Sequence, residues 1–159
     1  MASMLPAAVL LDVDGVLVVS WKPVLGAVEA LHTLRRAGVR LRFLTNTTSR
    51  TRAQVASALW EAGFALEEAE LFTAGVATAA YLAEHHAGAR CLVENEGPLD
   101  DLTGVTLAGA GEQPDVVVIG SAGPRFSWEM MNRTAWPSGE MKFSMPRLKS
   151  LLSKISGGR

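Results

Sequence analysis

The chain has a single cysteine, Cys91, among 159 residues, so no disulfide can form within it. Cys91 lies in the apolar run 89–93, where a small buried hydrophobe is expected, and a reducing cytoplasm fits this usage. Charge is also sparse: 19% of residues are charged and the formal net charge is −1, which gives no electrostatic reason to expect nucleic acid as a partner. No apolar run approaches the roughly 20 residues of a membrane-spanning helix. The N-terminus, MASMLPAAVLLDVDG, has no basic leader, and its apolar run of about ten residues ends on an aspartate pair, so neither a signal peptide nor a membrane span is expected. What remains is a 48% hydrophobic composition, long enough for one domain with a real core.

The chain is organised around residues 7–17, AAVLLDVDGVL. If its apolar part is a buried parallel strand, side chains alternate between faces, and Asp12 and Asp14 project to the same side at the carboxyl end. Two carboxylates in one small space repel unless a cation sits between them or one holds a proton. A hard ion such as Mg²⁺ suits the first arrangement, and a nucleophile beside a general acid suits the second. Gly15 permits a sharp turn directly after the pair, keeping it at the open strand end where ligands bind α/β sheets. The same string also fits an ordinary turn. A calcium loop would require an acid or amide at Val16 and a glutamate farther on, and neither is present.

A second stretch, residues 39–46 (VRLRFLTN), reads as a strand ending in Thr45 and Asn46. Between the two strands, apolar residues recur at helical spacing from Val24 to Leu34, after Pro23, with Arg35 and Arg36 in the last turn and Gly38 as the stop. Strand, helix and strand make a βαβ unit with a parallel sheet, which places Asp12, Asp14 and Thr45 at one sheet edge. His32 belongs to a helix face rather than to a ligand set. The hydroxyls of residues 45–49 precede a helix over 52–62, where they would serve either as a phosphate site at the helix start or as a plain N-cap. Arg50 and Arg52 would add charge there or face solvent.

Farther on, residues 67–70 read as a solvated acidic turn, 74–86 as a helix, and 89–93 and 116–119 as strands, with a short apolar piece at 105–108. His85 and His86 are adjacent, which on a helix points them about 100° apart and disfavours a shared metal. Gly120 to Gly123 lacks the full dinucleotide-binding fingerprint. Lysine is nearly missing from the first 133 residues, where Lys22 stands alone, whereas residues 134–159 carry Lys142, Lys149, Lys154, Arg147 and Arg159 against Glu140 as the lone acid. Met145, Leu148, Leu151, Leu152 and Ile155 there share one face of a short basic amphipathic helix, expected to dock on its own domain or remain a loose tail.

With both motifs in view, the sequence resembles the haloacid dehalogenase superfamily, in the group (subclass IIA) whose large α/β cap is inserted after the second motif. DVDGVL at 12–17, PVLGAVEAL at 23–31, FLTNTTSRTR at 43–52, LFTAGVATAAYL at 71–82 and PDVVVIGSAGPRFSWEMMNR at 114–133 carry the likeness. The resemblance implies an α/β fold: a Rossmann-like parallel sheet forming the N-terminal part of the core over residues 1–87, a partial α/β cap over 88–133, and an unmatched basic tail over 134–159. It implies a Mg²⁺-dependent phosphatase acting on a small phosphorylated substrate through an aspartyl-phosphate. Asp12 would be the nucleophile, and Asp14 the acid that protonates the leaving group and then activates water. Mg²⁺ would bind the Asp12 carboxylate and the Asp14 backbone carbonyl, while Thr45, the Asn46 backbone and the turn at Gly15 would hold phosphoryl oxygens.

The family pattern continues beyond Arg133 to a phosphate-binding lysine and an acidic Gly-Asp motif, and the sequence does not supply these. A truncated or frameshifted member that binds phosphate and Mg²⁺ weakly without turnover is therefore the alternative expectation. Without the second half, the Asp12 strand is expected to keep an unpaired edge, which would be covered by the tail helix or by a second copy in a homo-oligomer.

Overall fold

The computed structural model describes residues 6–121 and 123. The basic tail and its amphipathic helix lie outside the described residues. The elements in chain order are β1 (Ala8–Asp12), β2 (Val18–Val19), β3 (Lys22–Pro23), α1 (Ala27–Arg36), β4 (Arg40–Thr45), α2 (Arg52–Glu61), a 3-10 turn (Glu68–Glu70), β5 (Leu71–Thr73), α3 (Ala74–His85), β6 (Arg90–Glu94), β7 (Thr106–Leu107) and β8 (Val116–Ile119). Mixed α/β architecture with parallel sheets is what the strand and helix alternation predicts. None of these helices is long and apolar enough to cross a membrane.

The first sheet has the order β1-β4-β5, with all neighbours parallel. In β4, alternate residues Leu41, Phe43 and Thr45 are buried, and the register sets Val9 beside Leu41 and Leu11 beside Phe43 on the same face. That face packs with Leu31 of α1 and with Val55 and Leu59 of α2 into one core, closed by Phe64, Leu66 and Leu71. The sheet is thus apolar toward the helices and ends in hydroxyls. Among the described residues β1 pairs with β4 alone, and Leu10, on the opposite face, is 41% exposed.

Two local expectations are corrected, and one strand is added. The apolar spacing predicts a helix from Val24, but α1 starts at Ala27, because Pro23 instead pairs with Val18 in a hairpin and the Val24 N–H donates to the Leu17 carbonyl at 2.8 Å. The hairpin tip, Ser20 and Trp21, has φ of 50° and 62°, the left-handed conformation that two-residue hairpins require. Strand β5 has no counterpart in the sequence reading; three residues are too few to show a period of two before α3 begins. The acidic turn is not wholly solvated either, because Glu70 is half-buried and takes both outer nitrogens of Arg35, at 3.0 and 2.6 Å.

The second sheet has the order β7-β6-β8, again parallel, with Cys91 of β6 buried at 2% exposure. Burial pushes the Cys91 thiol pKa up, and the nearby Asp115 charge adds to this. His32, His85 and His86 are exposed, the last two beside the ring of Tyr81.

Candidate active site

The carboxyl ends of β1 and β4 lie side by side, because Asp12 pairs in register with Leu44 and the Val13 N–H donates to the Leu44 carbonyl at 3.1 Å. Asp12 is the last residue of its strand and is exposed, and its Oδ1 accepts the Val13 N–H at 2.8 Å. That bond fixes one carboxylate oxygen and so the direction of the other. Beyond Asp12 the strand ends and the alternation argument lapses. Gly15, at φ 82°, turns the chain, and its N–H donates to the Val18 carbonyl at 2.8 Å. A Cβ on Gly15 would meet nothing within 4 Å, so glycine is required there by backbone conformation and not by crowding.

The turn brings exposed Asp14 to Thr45. The Thr45 hydroxyl donates to Asp14 Oδ2 at 3.5 Å, the long limit of such a bond, and accepts the Thr47 N–H at 3.2 Å. With an amide hydrogen at one side of the oxygen, the hydroxyl proton is directed to the carboxylate. Thr45 is itself only 6% exposed, so packing holds it. Asn46 follows at the exposed start of the loop. The structure therefore gathers Asp12, Asp14, Gly15, Thr45 and Asn46 at one end of one sheet.

The start of α2 is occupied by the protein's own groups. Thr51 is the N-cap and forms a capping box with Gln54, and the Arg52 N–H donates to Asp101 Oδ2 at 2.8 Å. The helix start thus takes the cap role. The Arg52 guanidinium is taken up by an ion pair with Glu68 at 3.0 Å. Arg50 is not merely solvent-facing: its guanidinium lies 4.3 Å over the Trp21 ring at the hairpin tip. Asp101 and Asn95, which reach this loop from the second sheet, escaped the sequence reading, because only the fold brings residues so distant in sequence together.

Asp12 and Asp14 are hard oxygen donors at an open position, the donor type that suits Mg²⁺. No group of three or more His, Cys, Asp or Glu side chains that could hold a metal ion occurs among the described residues.

A parallel α/β sheet that gathers an aspartate pair and a threonine at the carboxyl ends of adjoining strands places them where open α/β sheets bind ligands. The chain belongs to the haloacid dehalogenase-like hydrolase family, whose sequence profile matches residues 9–125. It is 35% identical over 125 residues to haloacid dehalogenase-like hydrolase domain-containing protein 2 of Rattus norvegicus, covering 79% of this chain and 46% of that protein. The solved structure of NagD from Escherichia coli K-12 superposes with a TM-score of 0.69 at 32% identity, over 83% of this chain and 52% of that one. A glycerol phosphate phosphatase from Mycobacterium tuberculosis, solved with magnesium, gives a TM-score of 0.66 at 28% identity, over 81% of this chain and 40% of that one. The chain spans about half the length of the first two of these proteins and less of the third.

Proposed function

We propose that this protein is a phosphatase-type hydrolase that acts on a small phosphorylated compound with Mg²⁺ and carries out its chemistry on Asp12. The observation that supports this best is the Thr45 hydroxyl held between the Thr47 amide and Asp14, beside the strand that ends in Asp12. In this scheme a carboxylate oxygen of Asp12 attacks phosphorus and the P–O bond to the leaving group breaks. Asp14, protonated, gives its proton to the departing oxygen, which leaves as an alcohol. Asp14, now a carboxylate, takes a proton from water as that water attacks phosphorus, releasing inorganic phosphate and restoring Asp12. Thr45 fixes Asp14 through Oδ2, and the Thr45 and Asn46 loop and the turn at Gly15 orient the phosphoryl oxygens.

The residues that would hold Mg²⁺ are Asp12, through its carboxylate, and Asp14, through its backbone carbonyl. Bound there, the ion would offset the negative charge shared by nucleophile and substrate. The similarity to a glycerol phosphate phosphatase solved with magnesium supports this choice. The cytoplasmic assignment and the division into a core part over residues 1–87 and a partial cap over 88–133 belong to the same proposal.

Phosphate release from a panel of small phosphoesters with Mg²⁺, by the 159-residue chain and by Asp12→Asn, tests the proposal. Release by the parent chain that Asp12→Asn abolishes is expected; equal behaviour of the two sinks it. Because the chain spans about half of its relatives, binding of phosphate and Mg²⁺ without turnover is the second reading, and steady release would refute that one.

A further inference from the structure

The loop that follows β4 is gripped from the second sheet. Asn95, just past the end of β6, donates from Nδ2 to the Thr48 carbonyl at 2.9 Å, while its Oδ1 accepts the Ser121 N–H at 3.0 Å. The same Ser121 N–H donates to Thr48 Oγ1 at 2.9 Å. Ser121 is held in turn, its carbonyl accepting the Glu96 N–H at 2.6 Å, and the neighbouring Gly120 N–H donates to the Glu94 carbonyl at 2.9 Å. The ends of β6 and β8 are thus clamped together, with the Asn95 amide projecting from the clamp onto Thr48.

Two glycines make the approach possible. A Cβ on Gly97 would overlap the Thr48 carbonyl oxygen and lie 2.7 Å from the Ser49 Cα, and a Cβ on Gly120 would come within 2.5 Å of Asn95 Oδ1. Both opposing groups at Gly97 are backbone and cannot swing aside. A second hook secures the far end of the loop: Asp101 Oδ2 accepts the Arg52 N–H and the Thr73 hydroxyl, each at 2.8 Å. Three fixed points therefore set the course of the loop, with Thr47 bound to Thr45, Thr48 to Asn95 and Ser121, and Arg52 to Asp101.

We infer that Asn95 and Gly97, with the Ser121 amide, form a latch through which the second sheet positions the phosphate-side loop. They are positioning residues: none lies among the groups assigned to the phosphoryl site, and they act through Thr48. The inference rests on the function proposed above for its consequence, and on the loop geometry alone for its existence. Breaking the latch should loosen the loop, and with it the bonded amides of Thr47 and Ser121, without loosening β4, which the core holds separately.

The test is amide hydrogen exchange, resolved by residue, on the full chain carrying Asn95→Ala, Gly97→Ala or Ser121→Ala, together with titration of each by inorganic phosphate in the presence of Mg²⁺. Asn95→Ala and Gly97→Ala should speed exchange at the bonded amides of Thr47 and Ser121 by about tenfold or more, the loss of one to two hydrogen bonds, and leave Leu41 to Leu44 unchanged. Ser121→Ala keeps its N–H and should match the parent. Phosphate affinity should fall by a similar factor in the first two variants and not in the third. Parent-like exchange at Thr47 and Ser121 in Asn95→Ala, or faster exchange there only together with β4, would overturn the latch. Gly97→Ala failing to fold would leave Asn95→Ala to decide. A parent chain that binds no phosphate would count against the proposed function, while the exchange comparison still decides the latch.

Discussion

The hydroxyl of Thr45 stands 3.5 Å from Asp14 Oδ2, joining two segments that meet only because β1 and β4 run parallel and adjacent. Thr45 is buried and Asp14 exposed, so a group fixed by the core steers one that faces solvent. Thr45→Val keeps the shape and removes the hydroxyl. If that contact orients Asp14, kcat/KM for a phosphoester should fall about 10- to 100-fold, the range of a hydrogen bond to a charged group. Thr45→Ser should retain most activity. Equal kinetics for Thr45→Val and the parent would remove Thr45 from the site.

The ion pair between Arg35 and Glu70 ties α1 to the turn before β5. Burial pushes the Glu70 pKa up, but the Arg35 hydrogen bond, the Glu67 N–H and the charges of Arg35 and Arg42 outweigh it, and the net shift is downward. A depressed carboxylate pKa stabilises the fold above the unfolded value and loses that contribution as pH falls through the folded one. Glu70→Gln should therefore cost about 1–3 kcal/mol near neutral pH. The gap from the parent should close as pH falls below the ordinary value of 4.5. Urea midpoints against pH for both proteins check this; a gap that widens in acid would contradict it.

Cys91 should behave as a core residue. With 2% exposure and a pKa raised by burial, its thiol should resist an aromatic disulfide reagent in the native state and react fully in denaturant. Rapid native-state labelling would show that β6 opens far more readily than its central place in the second sheet implies.

The edge of β1 carries a prediction about assembly. Leu10 is 41% exposed on the face away from the core, and β1 has a single paired neighbour among the described residues. Concentration-dependent association is expected in sedimentation experiments, and Leu10→Lys should reduce it. A monomer at all concentrations would show that this strand is already covered.

How much of this was legible in the sequence depended on how far each signal reached. Residues 116–119, a run of β-branched side chains, became β8 with its bounds as read, and Thr45 was placed correctly at a strand end next to the aspartates. Local periodicity carries that much. It misled at Val24, where the apolar spacing continued past a hairpin that Pro23 closes, and it was silent at Leu71 to Thr73, too short to show a period. Glu70 looked solvated because its partner lies 35 residues away. Asn95 and Asp101 gave no local signal at all. Their hydrogen-bonding partners, Thr48, Arg52 and Thr73, are tertiary neighbours that neither composition nor spacing reveals.

The claim on which the functional account turns is that Asp12 accepts the phosphoryl group. The most direct test is acid quenching of the chain during incubation with a turned-over or slowly reacting phosphoester and Mg²⁺, followed by intact-mass measurement and peptide mapping. The account predicts one added phosphoryl group, mapped to Asp12, labile to hydroxylamine and missing from Asp12→Asn. Phosphoryl transfer to another residue, or phosphate release with equal rates in parent and Asp12→Asn, would contradict it.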